Sequence, residues 1–221
     1  MTLLFDSVVV PEVAVQNSDL RYPVRRIYCV GQNYRDHVKE MGGDPKSSPP
    51  VFFSKPADAI MPSGSRIAYP SATGNLHYEV ELVVALKSGG SELDAHHALQ
   101  CIYGYAVGID FTRRDRQAEA KEKGRPWEIG KNFDDAGVMG VVTPKSELLV
   151  MENAAITLDV NHQPRQAGDI NQMVYNTTEL IAFLSTLQEL KAGDLIFTGT
   201  PSGVGAVIRG DHLVGRIDGL E

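Results

Sequence analysis

The stretch Tyr78-Glu79-Val80-Glu81-Leu82-Val83-Val84-Ala85-Leu86 constrains this chain more than any other. Its second half is unbroken aliphatic sequence, the mark of a strand buried on both faces, yet its head carries two carboxylates. Residues two apart in a strand share a face, roughly 6.5–7 Å from one another along the backbone. Two carboxylates at the head of a buried strand repel each other and resist desolvation unless a cation joins them. The alternative is an exposed strand face with two solvated glutamates, and this string alone leaves both readings open.

The surrounding pattern is richer in strands than in helices. Residues 8–15, 25–30, 51–54, 103–109, 156–160 and 195–197 have strand composition, and 78–86 is the clearest strand. Helices are expected over 33–41, 93–102 and Thr177–Leu187. Another is expected from Thr112, whose Thr-x-x-Asp start resembles a capping box and whose end is Gly124-Arg125-Pro126. Residues 43–50 form a Pro/Ser/Lys-rich loop, Asn161-His162 a turn and 199–205 a tight glycine-rich turn. Helices do not alternate regularly with strands, which disfavours a doubly wound sheet and favours an α+β fold dominated by sheets.

At 221 residues the chain is expected to form one domain, with 1–23 as an N-terminal extension packed on it. A net charge of −7 argues against nucleic-acid or anionic-membrane partners, so an acidic substrate needs local cations or a metal. Cys29 and Cys101 each sit in apolar runs and are expected to be buried thiols rather than a disulfide. The first 15 residues carry no Lys or Arg, and Asp6 and Pro11 interrupt them, unlike a signal peptide. No run approaches the roughly 18 apolar residues of a membrane span. The expectation is a soluble, cytoplasmic protein.

Asp110 supplies a third carboxylate, at the end of the buried strand 103–109 and ahead of the next helix. Three hard oxygen donors without Cys or His at zinc spacing suit Mg²⁺ or Mn²⁺. Asp110 could equally serve the helix dipole. Arg114 and Gln117, three apart, share a helix face. So do His37 and Glu40, where the carboxylate can orient the imidazole for general-base work, although such pairs are also common on surfaces. Lys131 follows a Pro-Trp loop. His77, His96, His97, His162 and His212 show no ligand spacing and are expected to be structural or at the surface. The run Gly199-Thr200-Pro201-Ser202-Gly203-Val204-Gly205 lacks the ending of a P-loop, the spacing of a dinucleotide fingerprint and a nucleophile elbow.

In order along the chain, these blocks resemble the short branch of the fumarylacetoacetate hydrolase superfamily. They are Tyr28-Cys29-Val30-Gly31-Gln32-Asn33-Tyr34 with His37 and Glu40, Phe53-Ser54-Lys55-Pro56, and His77 to Leu82. They continue with Gly108-Ile109-Asp110, Arg114 and Gln117, Lys131, and Thr198-Gly199-Thr200-Pro201. The resemblance implies a sheet-rich mixed β roll with short peripheral helices, in a homodimer. It implies that Glu79, Glu81 and Asp110 hold the metal and that His37 and Glu40 activate water. It makes Gln117, Lys131 and Thr200 substrate contacts, with Arg114 beside them. The implied reaction is hydrolysis of a C–C bond in fumarylpyruvate or another acylpyruvate, Lys131 helping to stabilise the departing pyruvate enolate. Oxaloacetate decarboxylation on the same site is the alternative, and a non-catalytic metal- or ligand-binding protein of this fold a lesser one.

Overall fold

A computed structural model of the chain describes residues 4, 9–40, 49–148, 151 and 153–220, and of 38–40 the backbone only. Among these residues the centre of the molecule is a mixed, eight-stranded sheet. Its order is Val51–Lys55, Arg26–Gly31, Asp194–Phe197, Val80–Leu86, Ile102–Asp110, Gly137–Met139 and Ile60–Pro62, with Thr143–Pro144 also on Ile102–Asp110. All seven residues of Val80–Leu86 are buried. Strand alternation divides the apolar side chains between two cores. Val80, Leu82, Val84 and Leu86 join Ile156, Leu158, Leu180 and Leu184 on one side. Val83 and Ala85 join Ile27, Cys29, Leu195 and Phe197 on the other, together with Val13 and Tyr22 from the N-terminal strand pair Glu12–Ala14 and Arg21–Pro23 and with Val15 just beyond it.

The continuous strand expected over 78–86 is broken at Glu79. Leu76–Tyr78 belongs to a small sheet with Thr112–Arg113 and Gly205–Val207, whereas Val80–Leu86 runs in the large one. The partner strand makes the same passage after Asp110, so Glu79 and Asp110 stand side by side where the chain crosses between sheets.

The helix expected from Thr112 is a second correction. Thr112 and Arg113 pair as a strand with His77 and Leu76, and the helix spans Arg114–Glu122 without a side-chain cap. Competition from the strand edge at Leu76–Tyr78 overrides the local capping pattern.

Helices lie at the periphery. Thr177–Leu187 is bounded as expected, and Asn176 with Glu179 closes its first turn in a capping box. The Asn161-His162 turn joins Ala155–Val160 to Gln163–Asp169 with both residues at positive φ, as a tight hairpin requires. Among the described residues no helix is long and apolar enough to cross a membrane. Cys29 and Cys101 are buried and unpaired. The loop expected at 43–50 lies mostly outside the described residues.

Candidate metal centre and active site

Asp110 donates its backbone N–H to the Glu79 carbonyl at 2.8 Å, and Glu81 lies one pleat further along the same pairing, opposite Gly108. Alternation puts Glu81 on the face of Val83 and Ala85, and Asp110 on the face of Ala106 and Gly108. Gly108 is needed there, because a Cβ would stand 2.5 Å from Val83 Cγ2 and 2.6 Å from Phe197 Cε1. The two strands therefore close tightly and carry their carboxylates to one place. One oxygen from each of Glu79, Glu81 and Asp110 lies within 4.8 Å of the others, and all three residues are buried.

Cations compensate this cluster unevenly. Lys131 Nζ donates to Glu79 Oε2, Asp110 Oδ2 and Thr112 Oγ1, each at 2.7 Å. Arg114 donates to Glu79 and, at 2.6 Å, to Gln117 Oε1. Burial would raise the pKa of Glu79, but Lys131 and Arg114 outweigh it and hold the group well below the carboxylate range. Burial likewise opposes charge on Lys131, but Asp110 and Glu79 win and keep it protonated. Glu81 is driven the other way, first by burial and then by its neighbours Asp110 and Glu79, against the charge of Lys131 and an N–H from Gly199 at 2.8 Å. Lys55 Nζ comes within 2.8 Å of Asp110 Oδ1, but off the hydrogen-bonding direction, so this buried oxygen accepts no hydrogen bond. Three buried carboxylates with oxygens this close together form a donor set that fits a hard divalent cation.

Beside the cluster opens a small, partly open pocket. His37, Arg114, Gln117, Lys131 and Thr200 all line it, together with Glu79 and Glu81. His37 is buried and close enough to Glu79 to help lower its pKa. The side chain of Glu40, the expected partner of His37, lies outside the described residues, although its backbone ends the helix Arg35–Glu40. Thr200 commits its hydroxyl to the strand, donating to the Val80 carbonyl and accepting from Gln166, each at 2.8 Å. His77, expected to be structural or at the surface, receives Arg114 Nε at 3.4 Å; burial and that guanidinium lower its pKa to about 4.

Three participants escaped the sequence reading. Lys55 stood in a quoted block, but its role did not: only the pairing of Ile27 with Lys55 turns it toward Asp110. Its signal is a lysine two positions after Phe53, and so on the same face, at the end of a short strand. Asn33 fastens the segment before the His37 helix, donating to the Thr198 carbonyl at 2.8 Å and the Tyr175 carbonyl at 3.0 Å while accepting from Tyr175 N–H. Gly199, at φ +97°, permits this approach, since its Cβ would meet Asn33 Cβ at 2.8 Å. Gln166 bridges Val80 N–H, Thr200 and the Pro201 carbonyl.

Residues 26–221 match the fumarylacetoacetate (FAA) hydrolase C-terminal family. The chain belongs to the fumarylacetoacetate hydrolase family. This family member is 44% identical over 169 residues to a fumarylpyruvate hydrolase of Ralstonia sp., covering 76% of the chain and 88% of that relative. It is 39% identical to the oxaloacetate tautomerase YcgM of Escherichia coli K12 over 92% of the chain and 93% of the relative. Its fold superposes with a TM-score of 0.96 on a fumarylpyruvate hydrolase from Pseudomonas aeruginosa, crystallised with Mn²⁺ and pyruvate. That pair is 49% identical, covering 99% of this chain and 96% of the other. The sheet-rich α+β architecture expected of the family is thus the one found.

Proposed function

We propose that this fumarylacetoacetate hydrolase family member cleaves a carbon–carbon bond in a 2,4-dioxo acid, fumarylpyruvate or another acylpyruvate, with Mg²⁺ or Mn²⁺, and releases pyruvate. The observation that carries this reading is the buried convergence of Glu79, Glu81 and Asp110 beside a cation-lined pocket, in a fold shared with an enzyme crystallised with Mn²⁺ and pyruvate. Glu79, Glu81 and Asp110 would hold the ion through oxygen donors alone. When bound, it supplies Lewis-acid stabilisation of negative charge on a 2-oxo acid.

The chain's own residues provide the rest. His37 takes a proton from the water that attacks the C4 carbonyl, with Glu40 orienting the imidazole from the same helix. The C3–C4 bond then breaks, its electron pair passing to pyruvate as the enolate. Lys131, kept charged by its buried carboxylates, sets a fixed positive charge beside that developing anion, where preorganised charge contributes most. Arg114, Gln117 and Thr200 line the substrate's seat. A single catalytic domain with 1–23 packed on it, a homodimer and a cytoplasmic place in aromatic compound breakdown complete the proposal; family resemblance and composition support them.

The same cations and carboxylates suit oxaloacetate, and the 39% identity to an oxaloacetate tautomerase keeps that substrate as the second reading. Pyruvate release from a panel of acylpyruvates and oxaloacetate, with and without Mg²⁺ or Mn²⁺, tests the proposal. Metal-dependent release, fastest from an acylpyruvate, is expected. Full turnover after chelation, or oxaloacetate exceeding every acylpyruvate, would overturn it.

A further inference from the structure

The helix Arg114–Glu122 turns one face to the pocket through Arg114, Gln117 and Lys121, spaced i, i+3 and i+7. Of its cations, Arg114 pairs with Glu79 and Arg116 with Glu119. Among the described residues Lys121 forms no ion pair, the nearby Glu119 pairing with Lys123 and Arg116 instead. Its ammonium instead lies over the Trp127 ring, 4.7 Å from the centroid. Partial desolvation and then Arg114 lower its pKa, so a counter-anion at this place would relieve an existing strain among cations. The pocket wall around it is aromatic: the Trp127 ring centroid lies 6.3 Å from that of Phe53, the rings tilted by 51°, and Gln32 lines the same pocket.

We propose that Lys121, poised on Trp127, recognises the distal carboxylate of a dicarboxylic acylpyruvate and so sets the enzyme's preference for fumarylpyruvate over monocarboxylic analogues. The inference rests on the hydrolase reading. Two helical turns separate Arg114 from Lys121, roughly 10 Å along the axis. A seven-carbon diacid whose oxo-acid end sits by Glu79 and Arg114 reaches along that face to Lys121. Its planar unsaturated segment lies against Phe53 and Trp127. Lys121 is exposed, so its replacement leaves the buried cluster in place.

The test uses the full chain with Mg²⁺ and compares fumarylpyruvate with acetylpyruvate, which lacks the second carboxylate. Lys121→Met keeps an apolar stem over Trp127 and removes the charge. The ratio of kcat/KM for fumarylpyruvate over acetylpyruvate is expected to fall about 10–100-fold, the range of a charge-assisted hydrogen bond. The fall should come mainly through KM, and Lys121→Arg should restore most of the ratio. Wild-type turnover of both substrates with the ratio unchanged in Lys121→Met overturns the inference and leaves the hydrolase reading standing.

A second readout needs no turnover. Trp127 is the chain's single tryptophan, so its fluorescence reports directly on the ring beneath Lys121. Fumarate should perturb it at about tenfold lower concentration in the wild type than in Lys121→Met, a difference that crotonate, with one carboxylate fewer, should not show. Equal fumarate midpoints overturn the inference. A wild type that hydrolyses no acylpyruvate of the panel overturns the hydrolase reading, and the fumarate titration then decides alone whether Lys121 holds a second carboxylate.

Discussion

Lys131 holds its ammonium 2.7 Å from Asp110 Oδ2, although one residue ends a short helix and the other ends a strand of the central sheet. With both groups buried, loss of the cation leaves carboxylates without their nearest compensation. Removing one partner of a buried pair costs about 3–5 kcal/mol. Lys131→Met should therefore lower the melting temperature by roughly 6–20 °C for a chain of this size, read by circular dichroism. Adding Asp110→Asn to it should recover part of that loss, because the orphaned charge is then gone.

Metal binding should register as stability. At a concentration 100 times its Kd, Mg²⁺ is expected to stabilise the native state by about 2.7 kcal/mol. That corresponds to a rise of roughly 5–10 °C in melting temperature. Asp110→Ala should abolish the rise while the chain still folds. A rise of equal size in Asp110→Ala would move the ion elsewhere.

The imidazole of His37 separates the two leading substrates. General-base catalysis contributes about 10²–10⁴-fold, so His37→Ala should reduce acylpyruvate hydrolysis by that order. Glu40→Ala should reduce it less, and oxaloacetate decarboxylation should suffer less than hydrolysis in either variant. Steady-state pyruvate release from both substrates gives the comparison.

Asn33 offers a test of positioning. It is buried and spends both ends of its amide on Tyr175 and Thr198. Asn33→Ala leaves those backbone groups unsatisfied, at about 1–3 kcal/mol for each. Beyond lost stability, activity should fall, because the segment leading to His37 loses its tie to Thr198-Gly199. Amide hydrogen exchange confined to residues 33–40 and 174–176 would locate the effect.

Asp115 gives a pH-dependent prediction. Burial would raise its pKa, but hydrogen bonds from Thr73, Gly74 and Arg116 prevail and hold it below the ordinary value. A carboxylate with a depressed folded pKa stabilises fully above its unfolded value, about 4, and loses that contribution as pH falls through the folded one. The stability difference between wild type and Asp115→Ala in urea should accordingly be full at pH 6 and shrink below about pH 4.

Local pattern carried much of this protein. Unbroken apolar runs mark 78–86 and 103–109 as buried strands, and the three carboxylates stand out because such strands seldom carry charge. The amphipathic period over Thr177–Leu187 bounds that helix to the residue. These features depend on contacts within a few positions, which a sequence displays directly.

What the sequence by itself determined, then, was the sheet-rich α+β class, the carboxylates at the strand ends and the residue types able to serve them. Tertiary structure alone decided how these meet. Whether Thr112 begins a helix or pairs with His77 depends on a strand edge 35 positions away, where inter-strand hydrogen bonds outweigh a capping preference. The break at Glu79, the turn of Lys55 toward Asp110 and the clamp of Asn33 on Thr198 all follow from sheet register and the close packing at Gly108 and Gly199. Register is a relation between distant segments, fixed by the joint burial of both, and no single stretch of chain encodes it.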